Sequence, residues 1–258
     1  MRPRPAAKLP VNPARYTQLL FRDATSRALS YHRLTSELSS VRFEDHRPVR
    51  RFPVYPGKRA HEGNYWFTRS QRHVRCESRF EFIALMLLDF CGQVVAVASN
   101  PFWILWPKGA RPQRHAPDFF ARLRDGTALV VDVHPQALID AEVAVRHERT
   151  QQVCAQLGWG YGVFAAIDPV VERNILVLNG FGHPRFAPPA ALRTFLLSAT
   201  DPQPARPPVL LDCLVDDCCR GTDHCRSVVL SGLYHLMWQQ ELHLDLARPL
   251  GSDSEVWR

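Results

Sequence analysis

The apolar positions change period along the chain. ESRFEFIALMLLDF puts Phe82, Ile83, Leu85, Met86, Leu87 and Leu88 on one broad stripe, which predicts a centrally packed helix over about 78–90, ended by Gly92. Val94 to Ala98 and Phe102 to Trp106 read as strands broken at Asn100-Pro101. PDFFARLRDGTALVVDVHP, residues 117–135, reads as two strands joined by a hairpin, because Asp125-Gly126 separates two apolar-rich runs. A helix is expected from Pro135 to about Leu157, closed by Gly158, and Tyr161 to Ile167 reads as a further buried strand. Strands with flanking helices make this core α/β.

The flanks are less regular. Residues 1–15 carry four prolines and no period, and are expected to form a mobile arm. Residues 16–40 suggest a short helix, from Leu19, Leu20, Phe21 and Leu29. Residues 42–75 mix arginine with aromatics, with turns expected at Pro56-Gly57 and Glu62-Gly63 and a strand at Tyr65 to Phe67. From Pro188 the character shifts. Ala190 to Ala199, Val209 to Cys219 and Asp223 to Gln240 read as helices, and Glu241 to Ala247 and Ser254 to Trp257 as strands. Three helices and a small hairpin follow a winged-helix plan. The expected division is therefore 1–41 (arm and short helix), 42–187 (α/β core) and 188–258 (helical, winged-helix-like).

Composition narrows the class. With 46% apolar residues in 258, a sizeable core is within reach, and no run approaches the roughly eighteen apolar residues of a membrane span. The opening MRPRPAAKLPVNPARY lacks an apolar secretory core, so the seven cysteines are expected as reduced thiols in a cytoplasm. The net charge of +7 is uneven: residues 1–75 hold 16 Lys/Arg against 5 Asp/Glu, 76–200 hold 11 against 11, and 201–258 hold 5 against 9. A basic first third suits a polyanion such as DNA, and the acidic last part suits a protein partner.

Candidate chemistry gathers at the hairpin. Asp118 opens its first strand; Asp132 and His134 close the second at the same end. Two carboxylates beside a basic group suit a hard cation next to a proton-handling side chain. A carboxylate among Val130, Val131 and Val133 needs a partner or a metal. His134 could orient a water, donate to phosphate or ligate metal. Glu81 has two readings, since Ser78-x-x-Glu81 also fits a capping box. Arg72, Arg75, Lys108, Arg111 and Arg114 are candidates for DNA contact. Cys213, Cys218, Cys219, Cys225, His224 and His235 raise zinc as an alternative, although the paired C-x-x-C spacing of common zinc sites is missing.

The order ESRFEFIALMLLDF, NPFWI, PDFFARLRDGTALVVDVHP, LGWGYGVF and VVERN resembles the TnsA-type endonuclease subunit of heteromeric transposases, in the PD-(D/E)xK nuclease superfamily. The resemblance covers about residues 50–200. It implies a restriction-endonuclease-like core, a mixed sheet flanked by helices, and a metal-dependent endodeoxyribonuclease. Glu81, Asp118 and Asp132, with the Val133 carbonyl, would hold Mg²⁺ or Mn²⁺, and His134 stands where the family usually has Lys. Asn100 stands where the family frequently has Gln. The implied product is one nicked strand, the 5′ strand, at a transposon end. The implied partners are double-stranded DNA, a DDE-type transposase and an AAA+ ATPase regulator. A catalytically silent subunit that binds DNA and partner proteins is the alternative.

Overall fold

A computed structural model describes residues 8, 10–25, 28–50, 62–110, 112–201 and 208–258. The expected turn at Pro56-Gly57, the candidate Arg111 and most of the expected arm lie outside the described residues. The chain is mixed α/β and divides into two units, Met1–Leu85 with Gln93–Ala166 and Met86–Gly92 with Ile167–Arg258.

The first unit contains β1 (Gln18–Arg22), β2 (Leu29–Arg33), β3 (Gly63–Phe67), β4 (Arg72–Cys76), the first residues of α1 (Arg79–Phe90), β5 (Val94–Ser99), β6 (Trp103–Leu105), β7 (Arg114–His115), β8 (Phe119–Leu123), β9 (Ala128–Val133), α2 (Ala141–Gln156) and β10 (Gly160–Phe164). One sheet runs β2-β1-β6-β7 and is antiparallel throughout. A second runs β10-β9-β8-β5, with β10 parallel to β9 and the other pairs antiparallel. β3 and β4 pair separately, so Gly63 opens a strand opposite Cys76 and does not mark a turn.

The helix expected in residues 16–40 is replaced by β1 and β2. Leu19 and Phe21, two apart, are buried while Gln18, Leu20 and Arg22 are more open. That is a period of two, and the strand partners supplied by β2 and β6 favour it over a short isolated helix. The expected hairpin forms as its residues dictate. Gly126 takes φ +86°, its amide donates to the Leu123 carbonyl at 3.0 Å, and Asp125 Oδ1 accepts from the Thr127 amide at 2.9 Å.

The core of this unit is aromatic. Phe43 is fully buried, with its ring 5.0 Å from Phe21, Phe102 and Phe120 and 5.7 Å from Trp159. Arg122 fixes the same segment: its guanidinium donates to the Val41 carbonyl at 2.8 Å and to Glu44 Oε1 at 3.3 Å.

The second unit contains the rest of α1, then α3 (Pro169–Asn179), α4 (Ala190–Ala199), β11 (Val209–Leu210), α5 (Leu211–Gly221), α6 (Arg226–Trp238), β12 (His243–Leu244) and β13 (Glu255–Trp257). Its sheet is β11-β13-β12. Val209 therefore begins a short strand and not the expected helix, and the expected strand at Glu241 to Ala247 shrinks to two residues. α3 has no counterpart in the sequence reading. Asp168 caps it, accepting the Val170 amide at 2.7 Å, and Pro169 occupies its first turn. Asn174 ties it to the C-terminal loop: its Nδ2 donates to the Leu246 and Arg248 carbonyls at 3.0 and 2.7 Å. No described helix is long and apolar enough to cross a membrane.

Candidate functional site

Three strands of the second sheet bring the candidate acids together. β8 pairs with β9 so that Phe119 faces Val131, which puts Asp118 opposite Asp132 at the hairpin mouth. β5 ends beside them. Asn100, just past β5, adopts the left-handed conformation at φ 44°, which asparagine tolerates, and its amide donates to the Asp118 carbonyl at 2.8 Å. The Asn100 side-chain oxygen is buried with no hydrogen-bond partner.

The two aspartates sit in different surroundings. Asp118 Oδ2 accepts the Val133 amide at 2.7 Å, while its other oxygen has no partner among the described residues. Burial lifts the Asp118 carboxyl well above the usual carboxylate range, and the charges of Asp132 and Glu81 add to the rise against the Val133 bond. Asp132 is 2% exposed, and His115 Nε2 lies 2.9 Å from both of its oxygens. The Tyr161 hydroxyl donates to Asp132 Oδ2 at 2.7 Å. Burial would raise Asp132, but the bonds from His115 and Tyr161 and the neighbouring His147 outweigh it and hold its carboxyl below the usual range.

The aspartates open on a pocket of about 300 Å³ walled by Arg50, Arg114, Arg146, His115, His134 and His147. The Arg114 guanidinium lies 5.0 Å over the Trp103 ring. Arg50 reaches Glu77 at 3.6 Å. His134 lines the pocket, but its Nε2 is 3.0 Å from the Leu138 carbonyl and its ring is 5.9 Å from that of His147. Val133 meets Asp118 through its amide.

Glu81 is closed into the capping box. Its Oε2 accepts the Glu77 amide at 2.7 Å, the Ser78 hydroxyl donates to its Oε1 at 3.3 Å, and its own amide donates to Ser78 Oγ at 3.1 Å. Burial raises its carboxyl, and it lies close enough to Asp118 to add to that group's rise. Asp118 and Asp132 are the pair that could hold a cation. Among the described residues no three His, Cys, Asp or Glu side chains form a metal-binding group. The C-terminal cysteines are all free and belong to no such group, and His235 Nδ1 is 2.8 Å from the Phe181 carbonyl.

Of the four candidate DNA contacts among the described residues, Arg114 is the one beside the acid pair. Arg72 is held by Asp45 at 2.9 Å and by the Glu44 carbonyl, Arg75 is exposed on β4, and Lys108 is exposed between β6 and β7. His115, Arg146, His147 and Tyr161 complete the site and were not singled out from the sequence. One signal existed: Val143, His147, Thr150 and Cys154 recur at helical spacing on the buried face of α2, so a histidine falls on an inward stripe. The chain matches no protein-family model and no curated protein.

Proposed function

We propose that the chain is a metal-dependent DNA endonuclease subunit of a heteromeric transposase that nicks the 5′ strand at transposon ends. One observation carries the reading: two aspartates face each other across a hairpin mouth, in a pocket with three arginines on its wall. The ordered motifs of the sequence add the transposase context. The mixed sheet β10-β9-β8-β5, with α2 against β10, supports reading residues 42–187 as a restriction-endonuclease-like domain. α4, α5 and α6 with the sheet β11-β13-β12 support a winged-helix-like domain at 188–258 that docks on the partner transposase or the AAA+ regulator.

The donor chemistry fits a hard divalent cation. Asp118 offers an oxygen without a partner among the described residues, and a cation would offset both the burial that chiefly raises its carboxyl and the neighbouring charge of Asp132 and Glu81. Asp118 and Asp132, with the Val133 carbonyl, would hold Mg²⁺ or Mn²⁺. Once bound, the ion supplies charge for an attacking water and for the developing phosphorane. The chain's own groups do the rest. Asn100 and the Val133 amide fix Asp118, His115 and Tyr161 hold Asp132 ionised, and Glu81 stiffens the start of α1. His134 stands at the pocket in the position of the lysine.

A catalytically silent subunit is the second reading. It is favoured by three commitments: both Asp132 oxygens to His115, Glu81 to its capping box, and His134 Nε2 to the Leu138 carbonyl. Incubation of the full chain and its partner transposase with a transposon-end duplex and Mn²⁺ separates the two. A nick on the 5′ strand that Asp118→Ala abolishes supports the nuclease. No nick, or one that survives the substitution, leaves the silent subunit.

A further inference from the structure

α2 contributes two consecutive residues to the lining of the pocket, and each has a side-chain nitrogen without a partner. The Arg146 Nε is buried with no hydrogen-bond partner, and so is the Nε2 of His147, a side chain only 9% exposed. Both residues line the pocket. Buried polar nitrogens without partners are rare in folded proteins; the Arg146 Nε–H asks for an acceptor, and His147 Nε2 can meet one when it carries the ring proton. Neither Arg146 nor Arg114 forms an ion pair among the described residues, although Asp118 and Asp132 share the pocket with them. Arg114 is held by its place over Trp103 instead, which leaves the fork of its guanidinium open.

Two guanidinium groups without ion pairs among the described residues, beside an acid pair, suit one ligand chemistry. An oxyanion with several acceptor oxygens can face both arginines while the acids stay on its other side. A carboxylate carries the same single charge but only two oxygens, whereas a phosphodiester has four and can meet both arginines while turning others toward the acids. We propose that Arg146 and Arg114 clamp one backbone phosphodiester of a DNA strand, with the buried nitrogen of His147 completing the cradle, and that they position this phosphate against Asp118 and Asp132. This deepens the nuclease reading and rests on it for the identity of the strand. The clamp itself needs no metal and no chemistry. These residues are positioning groups, and the substitution that matters most lies on α2, away from the basic first third of the chain.

The test is binding by the full chain to a fluorescent transposon-end duplex in EDTA, across a salt series. Arg146→Gln is expected to weaken binding roughly tenfold or more. The slope of log K against log salt should flatten by about one, because one phosphate contact is lost. Arg146→Lys keeps the charge without the fork and should recover part of the loss. Arg114→Gln should weaken binding to a similar degree on its own, which keeps the test decisive if Arg146→Gln does not fold. Affinities within about twofold of wild type for both Gln variants, on folded protein with an unchanged salt slope, would overturn the clamp. So would a wild-type chain that binds inorganic phosphate but not the duplex, or binds duplex RNA and not DNA. A chain that loses duplex binding in Arg146→Gln but never nicks supports the clamp and sinks only the chemistry. One that nicks and binds without needing Arg146 or Arg114 does the reverse.

Discussion

His115 Nε2 lies 2.9 Å from each carboxylate oxygen of Asp132, so one imidazole spans both oxygens of a carboxylate that is almost wholly buried. With its proton on Nε2, His115 donates to both. Tyr161 adds a second donor at 2.7 Å. The network explains how an ionised acid survives among valines, and it makes Asp132 depend on residues from β7 and β10.

The first prediction concerns that dependence. His115→Ala leaves Asp132 buried with Tyr161 as its remaining side-chain donor, and is expected to cost about 1–3 kcal/mol. Because the folded Asp132 carboxyl is held below its ordinary value, it contributes stability above the usual carboxylate pKa of about 4, and that contribution is lost as pH falls through the lower folded value. The variant should therefore begin to unfold at higher pH than wild type on the acid side. Urea melts between neutral and acid pH read this out. An acid limb that does not move would show that His115 does not hold the charge.

Asp118 has the opposite sign. Its folded carboxyl is raised, so its charged form weakens the fold above the ordinary carboxylate range, and the effect disappears as pH falls below it. Asp118→Asn keeps the shape and removes a buried charge together with its repulsion from Asp132 and Glu81. It should raise the midpoint of thermal unfolding at neutral pH by about 2–4 °C, the shift of roughly 1 kcal/mol in a chain of this size. Mn²⁺ bound as proposed should raise the wild-type midpoint through ligand linkage, and the same variant should lose that rise. A lowered midpoint in metal-free buffer would count against the like-charge account.

Much of this corner was legible in the sequence because it is local. Asp125-Gly126 set the hairpin, strand alternation put Asp118 and Asp132 at one end, and Ser78-x-x-Glu81 announced its capping box. His115 was not legible. It reaches Asp132 through the pairing of β7 with β6 in the other sheet, a long-range register that no window of sequence contains. Arg146 and His147 were hidden differently, since helical spacing says that a position faces inward but not what it faces. β1 and β2 were misread because Leu19, Leu20 and Phe21 fit either period, and their partners decided between them. α3 could have been found: Asp168-Pro169 is a helix start signal at the residues that form it.

The aromatic hub gives a stability prediction with no bearing on catalysis. Phe43 comes from the arginine- and aromatic-rich segment 42–75, and its ring is wholly enclosed by Phe21, Phe102, Phe120 and Trp159. Phe43→Ala should cost about 3–5 kcal/mol, the usual loss for a buried phenyl ring. Duplex affinity of the folded fraction should be unchanged. A mild cost together with weakened DNA binding would move Phe43 from the core to the nucleic-acid surface.

Glu81 is where the two readings of the site can be separated, because its two roles respond differently to one pair of substitutions. As a cap, it accepts the Glu77 amide and the Ser78 hydroxyl, and a glutamine can accept the Glu77 amide through its one oxygen and meet Ser78 Oγ by donating from its NH2. Glu81→Gln should then melt close to wild type, while Glu81→Ala should lose about 0.5–2 kcal/mol, the range for a lost cap. As a contributor to the metal-binding charge, glutamine is no substitute. It removes the negative charge that Asp118 feels from α1, so nicking in Mn²⁺ should fall in both variants, and the metal concentration for half-maximal nicking should rise. Full nicking by Glu81→Gln, with Glu81→Ala impaired only in proportion to its lost stability, would confine Glu81 to the capping box and leave Asp118 and Asp132 as the whole of the acid site.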